Sequence, residues 1–208
     1  MLRRSTRLLP HAERHKRPAM ELSTPRLRID ALCSADADTF FAYRADPAVA
    51  RFQGWCPADA AEARDFIDAQ GKLAPEMPHD WLQRAIRLRD DDTLIGDLGV
   101  CLADDPHESV EFGISVAPAH QGRGYAREAA GKLFEYVFGE LGRHRIHASV
   151  DPRNLASMAL LHGLGMRQEA HHRESLWLRG EWVDDVVFAM LAGEWFTHQT
   201  ADAIAVKL

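Results

Sequence analysis

Val110-Glu111-Phe112-Gly113-Ile114-Ser115-Val116 is followed by Ala117-Pro118-Ala119-His120, then by Gln121-Gly122-Arg123-Gly124-Tyr125-Ala126 and a long segment with an apolar stripe. The first seven residues read as a strand, ended by Pro118. Ala126, Ala129, Ala130, Leu133, Phe134, Val137 and Phe138 recur at i, i+3, i+4, i+7, i+8, i+11 and i+12, the spacing of a helix with one buried face. Gly139 and Gly142 bracket its end. Residues 121–126 are thereby placed at a helix N-terminus, where unpaired N–H groups and a partial positive charge meet. Gly122 and Gly124 carry no Cβ, so a phosphate can approach the backbone there, and Arg123 can add charge. The glycine pattern taken alone suits an empty strand-to-helix turn equally well. It is not a P-loop, which needs Gly-Lys-Ser/Thr. Nor is it a dinucleotide fingerprint, because Arg127 stands where a third small residue belongs.

Working outward from this stretch, residues 27–29 read as a first strand, and Ser34-Ala35-Asp36 can cap a helix running to about residue 43. Asp46-Pro47 interrupts it. Residues 58–70 form a second helical stretch with Phe66 and Ile67 on one side, and 73–80, with Pro75 and Pro78, read as a loop. Residues 82–88 and 94–102 are strands joined by the acidic turn Asp90-Asp91-Asp92. Ile146, Ala148 and Val150 alternate as in a half-buried strand, and 171–178 and 183–190 pair across a turn at Arg179-Gly180. Asn154 is a good helix N-cap, with Leu155, Met158 and Leu161 facing inward. The class is mixed α and β (α+β).

Length and charge narrow the function classes. With 208 residues, the chain suits one domain with a small appendage. The net charge is −6, yet residues 1–19 hold six Lys/Arg against one Glu, so the body is strongly acidic. That argues against a nonspecific nucleic-acid binder; it is compatible with a cationic substrate such as an amine, and surface solvation explains the acidity just as well. No apolar run is long enough to span a bilayer. Residues 1–19 read as a basic, flexible extension, 20–196 as the folded domain and 197–208 as a tail. Cys33, Cys56 and Cys101 are far apart and cannot all pair, which favours free thiols and a cytoplasmic setting. No HExxH occurs, and His171 and His172, adjacent in a strand, point to opposite faces, so no metal is expected.

Gln121, Gly124 and Ala126 fill the Q/R-x-x-G-x-G/A signature, and residues 110–126 resemble motif A of the GNAT (Gcn5-related) N-acetyltransferase superfamily. Residues 150–166, VDPRNLASMALLHGLGM, resemble its motif B. The framing LIGD and LRGEWVDDVVFAML resemble the RimJ/RimL branch, and the likeness runs from about residue 21 to 194. It implies a twisted, mostly antiparallel sheet of about seven strands, splayed where acetyl-CoA binds and flanked by helices. It also implies pyrophosphate on the amides of Gln121, Gly122, Arg123, Gly124, Tyr125 and Ala126, with pantetheine beside the backbone of Ile114 and Val116. Gly113 is consistent with a bulge at the splay. Asn154 and Ser157 would approach the pantetheine arm and the thioester sulfur.

The resemblance also frames the chemistry. Many relatives place a tyrosine acid where Leu161 stands here; in the ribosomal-protein branch a serine at the place of Ser157 takes that role. The alternative for Ser157 is an ordinary first-turn serine. A carboxylate would help the amine lose its proton. Glu111 is the first candidate, on the splayed strand, and Glu174 the second, two residues from the matching position at Leu176. Glu111 can equally be a charged residue on the solvent face of an alternating strand, and Glu174 would share the face of Leu176. The cysteines do not suggest an acetyl-enzyme, so direct attack by a primary amine is expected, on a protein N-terminus or a small molecule. Trp55 belongs to a loop that would wall the acceptor cleft or anchor itself to the core. The rival reading is a CoA-binding module without turnover. A monomer or homodimer suits either.

Overall fold

The structure is a computed structural model that describes residues 20–71, 81–102 and 109–205. The basic extension and the loop expected over 73–80 lie outside the described residues. Among the described residues, eight strands form one sheet: β1 (Leu22–Ser23), β2 (Leu27–Ala31), β3 (Trp81–Leu88), β4 (Leu94–Cys101), β5 (Val110–Val116), β6 (Arg145–Val150), β7 (Arg167–Leu178) and β8 (Glu181–Leu191). Their order is β1-β2-β3-β4-β5-β6-β8-β7, and every pairing is antiparallel except β5–β6. The strand beyond the expected seven is β1, two residues long and too short to leave an alternating pattern.

Among the described residues, six α-helices flank the sheet: α1 (Ala37–Arg44), α2 (Pro47–Ala50), α3 (Ala60–Gln70), α4 (Tyr125–Glu135), α5 (Leu155–Gly163) and α6 (Ala192–Ala205). On one face, the striped side of α4 buries Ala129, Ala130, Leu133 and Phe134 against strand residues such as Phe112 and Ile146. Phe134 meets Phe112 edge-on at 5.1 Å and Trp195 of α6 at 5.6 Å. A side chain of this size, fully buried, contributes about 1.5–3 kcal/mol. A turn of π-helix over Tyr136–Glu140 continues the stripe and buries Val137 and Phe138. The opposite face holds a second cluster, in which Phe40 and Tyr43 of α1 and Ala63 and Ile67 of α3 pack on Ala85 and Leu94.

Several local expectations are adjusted by the structure. Ser34–Asp36 is a 3-10 turn ahead of α1. Asp46-Pro47 starts a new short helix, because Asp46 caps Ala48 N–H and proline suits the first helical position. Gly113 pairs with Gly99 in an unbroken β4–β5 register, so it is no bulge. Leu155 is 75% exposed, because it lies on the outward side of the first turn of α5. Helix α6 continues past residue 196 to Ala205.

Candidate functional site

The sheet opens at β5. Only Val110 and Glu111 pair with β6, opposite Ile146 and His147, and beyond them the two strands diverge. The N–H of Ala117 donates to Ile95 of β4 at 2.8 Å. Alternation along the strand then turns the N–H groups of Ser115 and Gly113 toward β4, and those of Val116 and Ile114 into the gap left by β6. The strand therefore offers unpaired backbone groups to whatever fills the gap.

Two cavities meet there. The first, a groove of about 530 Å³, runs under the N-termini of α4 and α5. Gly122 and Gly124 shape its upper wall with φ of +73° and +80°, a backbone that L side chains rarely adopt. The Gln121 side chain donates to the Val116 carbonyl at 2.8 Å and ties the loop to the strand end. Arg26 braces the loop from behind: it pairs with Glu128 of α4, donates to the Arg123 carbonyl at 3.1 Å and lies over the Tyr125 ring. Burial opposes it, but hydrogen bonds from Thr24 and Arg26 hold the Glu128 carboxyl below the ordinary range. Arg51, Arg127 and Arg153 line the groove, and among its described lining residues there is no carboxylate. Glycine backbone in the left-handed region, a helix N-terminus and an excess of arginine together suit a polyanionic, phosphate-bearing ligand.

The second cavity, a cleft of about 480 Å³, lies on the α1/α3 side of the sheet. Aromatic residues wall it. Trp55 stacks on Phe66 at 4.7 Å, and its indole N–H donates to Glu62 at 3.1 Å. Trp81 lines the cleft while 41% exposed. Beneath the wall, Asp97 is fully buried and accepts from the Tyr43 hydroxyl at 2.7 Å, from two Arg44 nitrogens and from Gln83. Burial and the adjacent Asp97 carboxylate push the Tyr43 phenol well up. Arg44 Nη1 donates to Gln53 Oε1 at 3.1 Å, which leaves Gln53 Nε2 to donate to Ser115 at 3.3 Å. A buried ion pair thus fixes the amide of a residue that lines both cavities. The β7–β8 turn closes one end: Arg179, at φ +49°, donates to the Ala50 carbonyl at 2.8 Å.

Ile114, Asn154 and Ser157 line both cavities. Asn154 Oδ1 accepts from the Ser157 N–H at 3.1 Å, the capping bond that starts α5. Val116, Gln121, Gly122, Gly124, Tyr125 and Ala126 line the groove; Arg123 does not, its carbonyl being held by Arg26. Glu111 lines neither cavity. It sits at the closed end of the gap, 4.0 Å from His147. Burial pulls the His147 imidazole down, against the pull of Glu111. Glu174 also lines neither cavity; it lies in an irregular stretch of β7 at φ +44°, its N–H donating to Asp184 at 2.9 Å. Carboxylates that do line the cleft are Asp151 and Asp185. Both escaped sequence reading, as did Arg51, Arg127, Arg153 and Gln53, because nothing in their local patterns marks which cavity they enter. None of the three cysteines lines either cavity, and no group of three or more His, Cys, Asp or Glu stands together to hold a metal among the described residues. No described helix is long and apolar enough to cross a membrane.

Residues 26–167 match the model of the acetyltransferase (GNAT) domain. The chain is 31% identical over 175 residues to the uncharacterized N-acetyltransferase p20 of Bacillus licheniformis, a match covering 84% of this chain and 97% of that one. It is 32% identical over 124 residues to the spermidine N(1)-acetyltransferase of Vibrio cholerae, covering 59% of this chain and 72% of that one. Mycobacterium smegmatis RimJ, solved in complex with CoA-disulfide, shares the fold at a TM-score of 0.71 and 22% identity over 81% of this chain and 83% of that one. The fold, the glycine loop at the splayed strand and the breadth of these matches agree: the chain belongs to the GNAT family of N-acetyltransferases.

Proposed function

We propose that this acyltransferase moves the acetyl group of acetyl-CoA, held in the groove, to a primary amine held in the cleft, by direct attack where the two cavities meet. Members of the family use acetyl-CoA. The observation that carries the reading is the meeting itself. A groove lined by arginines, with no carboxylate among its described lining residues, and a cleft with aromatic walls share Ile114, Ser115, Asn154 and Ser157. The C–S bond of the thioester breaks, a C–N bond forms, one amine proton ends on the CoA sulfur and the ammonium's extra proton leaves to solvent.

Each residue of this chain then has a task. The loop over residues 121–126 holds the pyrophosphate on backbone N–H groups, with Arg51 and Arg127 adding charge. The N–H groups of Ile114 and Val116 align the pantetheine arm along the gap. Ser157 makes no hydrogen bond through its hydroxyl to a described protein group, which leaves that hydroxyl available to donate to the departing sulfur. Positioning two reactants at the shared wall supplies much of the rate. The absence of cysteine from both cavities supports direct transfer over an acetyl-enzyme, and an unpaired, exposed Cys33 supports a cytoplasmic setting. Kinship with a spermidine acetyltransferase supports an amine acceptor.

An assay with acetyl-CoA, a panel of amines and thiol detection tests the proposal. Thiol release matched by an acetylated amine in the mass spectrum is the expected result. Tight CoA binding without thiol release on any amine would favour a binding module, a reading that Leu161 at the family's tyrosine position keeps in play.

A further inference from the structure

Three charged residues line the cleft among those described: Arg44, Asp151 and Asp185. Two are already neutralised. Arg44 spends its nitrogens on the buried Asp97 and on Gln53. Asp151 is bound by Arg153, whose hydrogen bonds hold its carboxyl below the ordinary range. Asp185 stands apart. It is half-buried on β8, accepts one hydrogen bond from the Ser149 hydroxyl of β6, and pairs with no cationic side chain among the described residues. A carboxylate offers about four lone-pair sites, so most of its accepting capacity is unused. Its neighbour Asp184, by strand alternation, points to the other face, where it is taken by His171 and the Glu174 N–H.

We infer that Asp185, oriented by Ser149, recognises the acceptor's ammonium group, and that the cleft selects a cationic amine with an apolar body and no carboxylate beside its nitrogen. The inference rests on reading this cleft as the acceptor site. A half-buried, unpaired carboxylate gains most from a charged donor that completes its hydrogen bonds. The faces of Trp55 and Trp81 favour a cation carried on an apolar stem. A free amino acid brings a carboxylate as well, and the described residues of the cleft include no uncommitted cation to receive it. Asp185 is thus a specificity residue, and Ser149 positions it.

The test uses the full chain and two matched probes, phenethylamine and phenylalanine, which differ by the carboxylate. Calorimetry in the presence of CoA is expected to show phenethylamine binding the wild type at least tenfold more tightly than phenylalanine. Asp185→Asn should weaken phenethylamine roughly 10–100-fold, the usual worth of a charge-assisted hydrogen bond. CoA affinity and melting temperature should not change. On any amine that turns over, the loss should fall on KM with kcat within about threefold, and Asp185→Glu should recover part of it. Ser149→Ala, which removes only the orienting hydroxyl, should show a smaller KM rise and decides the matter if Asp185→Asn does not fold. Equal phenethylamine binding by wild type and Asp185→Asn, or none by the wild type, overturns the inference. Absence of turnover with intact, Asp185-dependent amine binding would instead overturn the proposed transfer while sustaining this site.

Discussion

The groove and the cleft are made from different materials. The groove is largely backbone: strand N–H groups left unpaired by the β5–β6 divergence, glycines at positive φ and the first turns of α4 and α5, with arginines added at the rim. It comes from three continuous stretches of chain, 48–53, 114–127 and 153–160. The cleft is made mostly of side chains, from α1, the loop before α3, α3, β3, β5, β6, α5, β7 and β8, and a buried ion pair props it from below. A backbone cradle tolerates any side chain that keeps its conformation and so suits a ligand common to a family. A side-chain cleft changes with single substitutions and suits an acceptor that differs between relatives.

Arg44→Met should break that contrast most strongly. It leaves Asp97 buried without its cation, at a cost of about 3–5 kcal/mol, and should release Gln53 from its hydrogen bond. Thermal unfolding should reveal the loss, and amine KM should rise more than acetyl-CoA affinity falls. Comparable losses in both cavities would mean that they act as one unit. Next in size, Ser157→Ala should lower kcat about 10²-fold, within the usual range for an acid or base. Its acetyl-CoA affinity should match the wild type, and raising the pH should not rescue it; strong rescue would move its task to the amine. Gly124→Val should then weaken acetyl-CoA at least tenfold by calorimetry, because a β-branched residue resists φ near +80°. Amine binding and the overall fold should survive, and unchanged acetyl-CoA affinity in a folded variant would end the phosphate-cradle argument.

The smallest effect concerns the closed end of the gap. Burial lowers the His147 pKa from the ordinary 6.5, more than Glu111 raises it. The unfolded chain therefore binds this proton more readily than the folded one. Stability from the neutral imidazole is present above about pH 6.5 and falls as the pH drops through that value toward the lower folded pKa. His147→Gln should flatten this part of the melting-temperature profile. If Glu111→Gln also leaves activity intact across pH, the carboxylate at the closed end is a packing and pairing group; a large kcat loss would return it to the chemistry.

What could be read without the structure follows from local physics. The α4 stripe, the positive-φ glycines, the Asn154 cap and the Arg179-Gly180 turn each depend on residues within a few positions of one another. Strand existence was legible for the same reason, and β1 was missed because two residues carry no period. The motif spacing that points to the family is local too. The cleft is different. Asp97 meets Arg44 across 53 residues of sequence, Ser149 meets Asp185 across 36, and Arg179 reaches Ala50 across 129. Glu111, near Gly113 in sequence, stops one pairing short of the open gap, whereas Asp185, remote in sequence, enters the cleft. Residue spacing therefore determined the strand, glycine loop and helix that make the backbone cradle, and motif resemblance implied a phosphate-bearing ligand for it. Only the tertiary structure decided which carboxylate enters the cleft without a cationic partner among the described residues, because charge compensation depends on distances that strand order and divergence set.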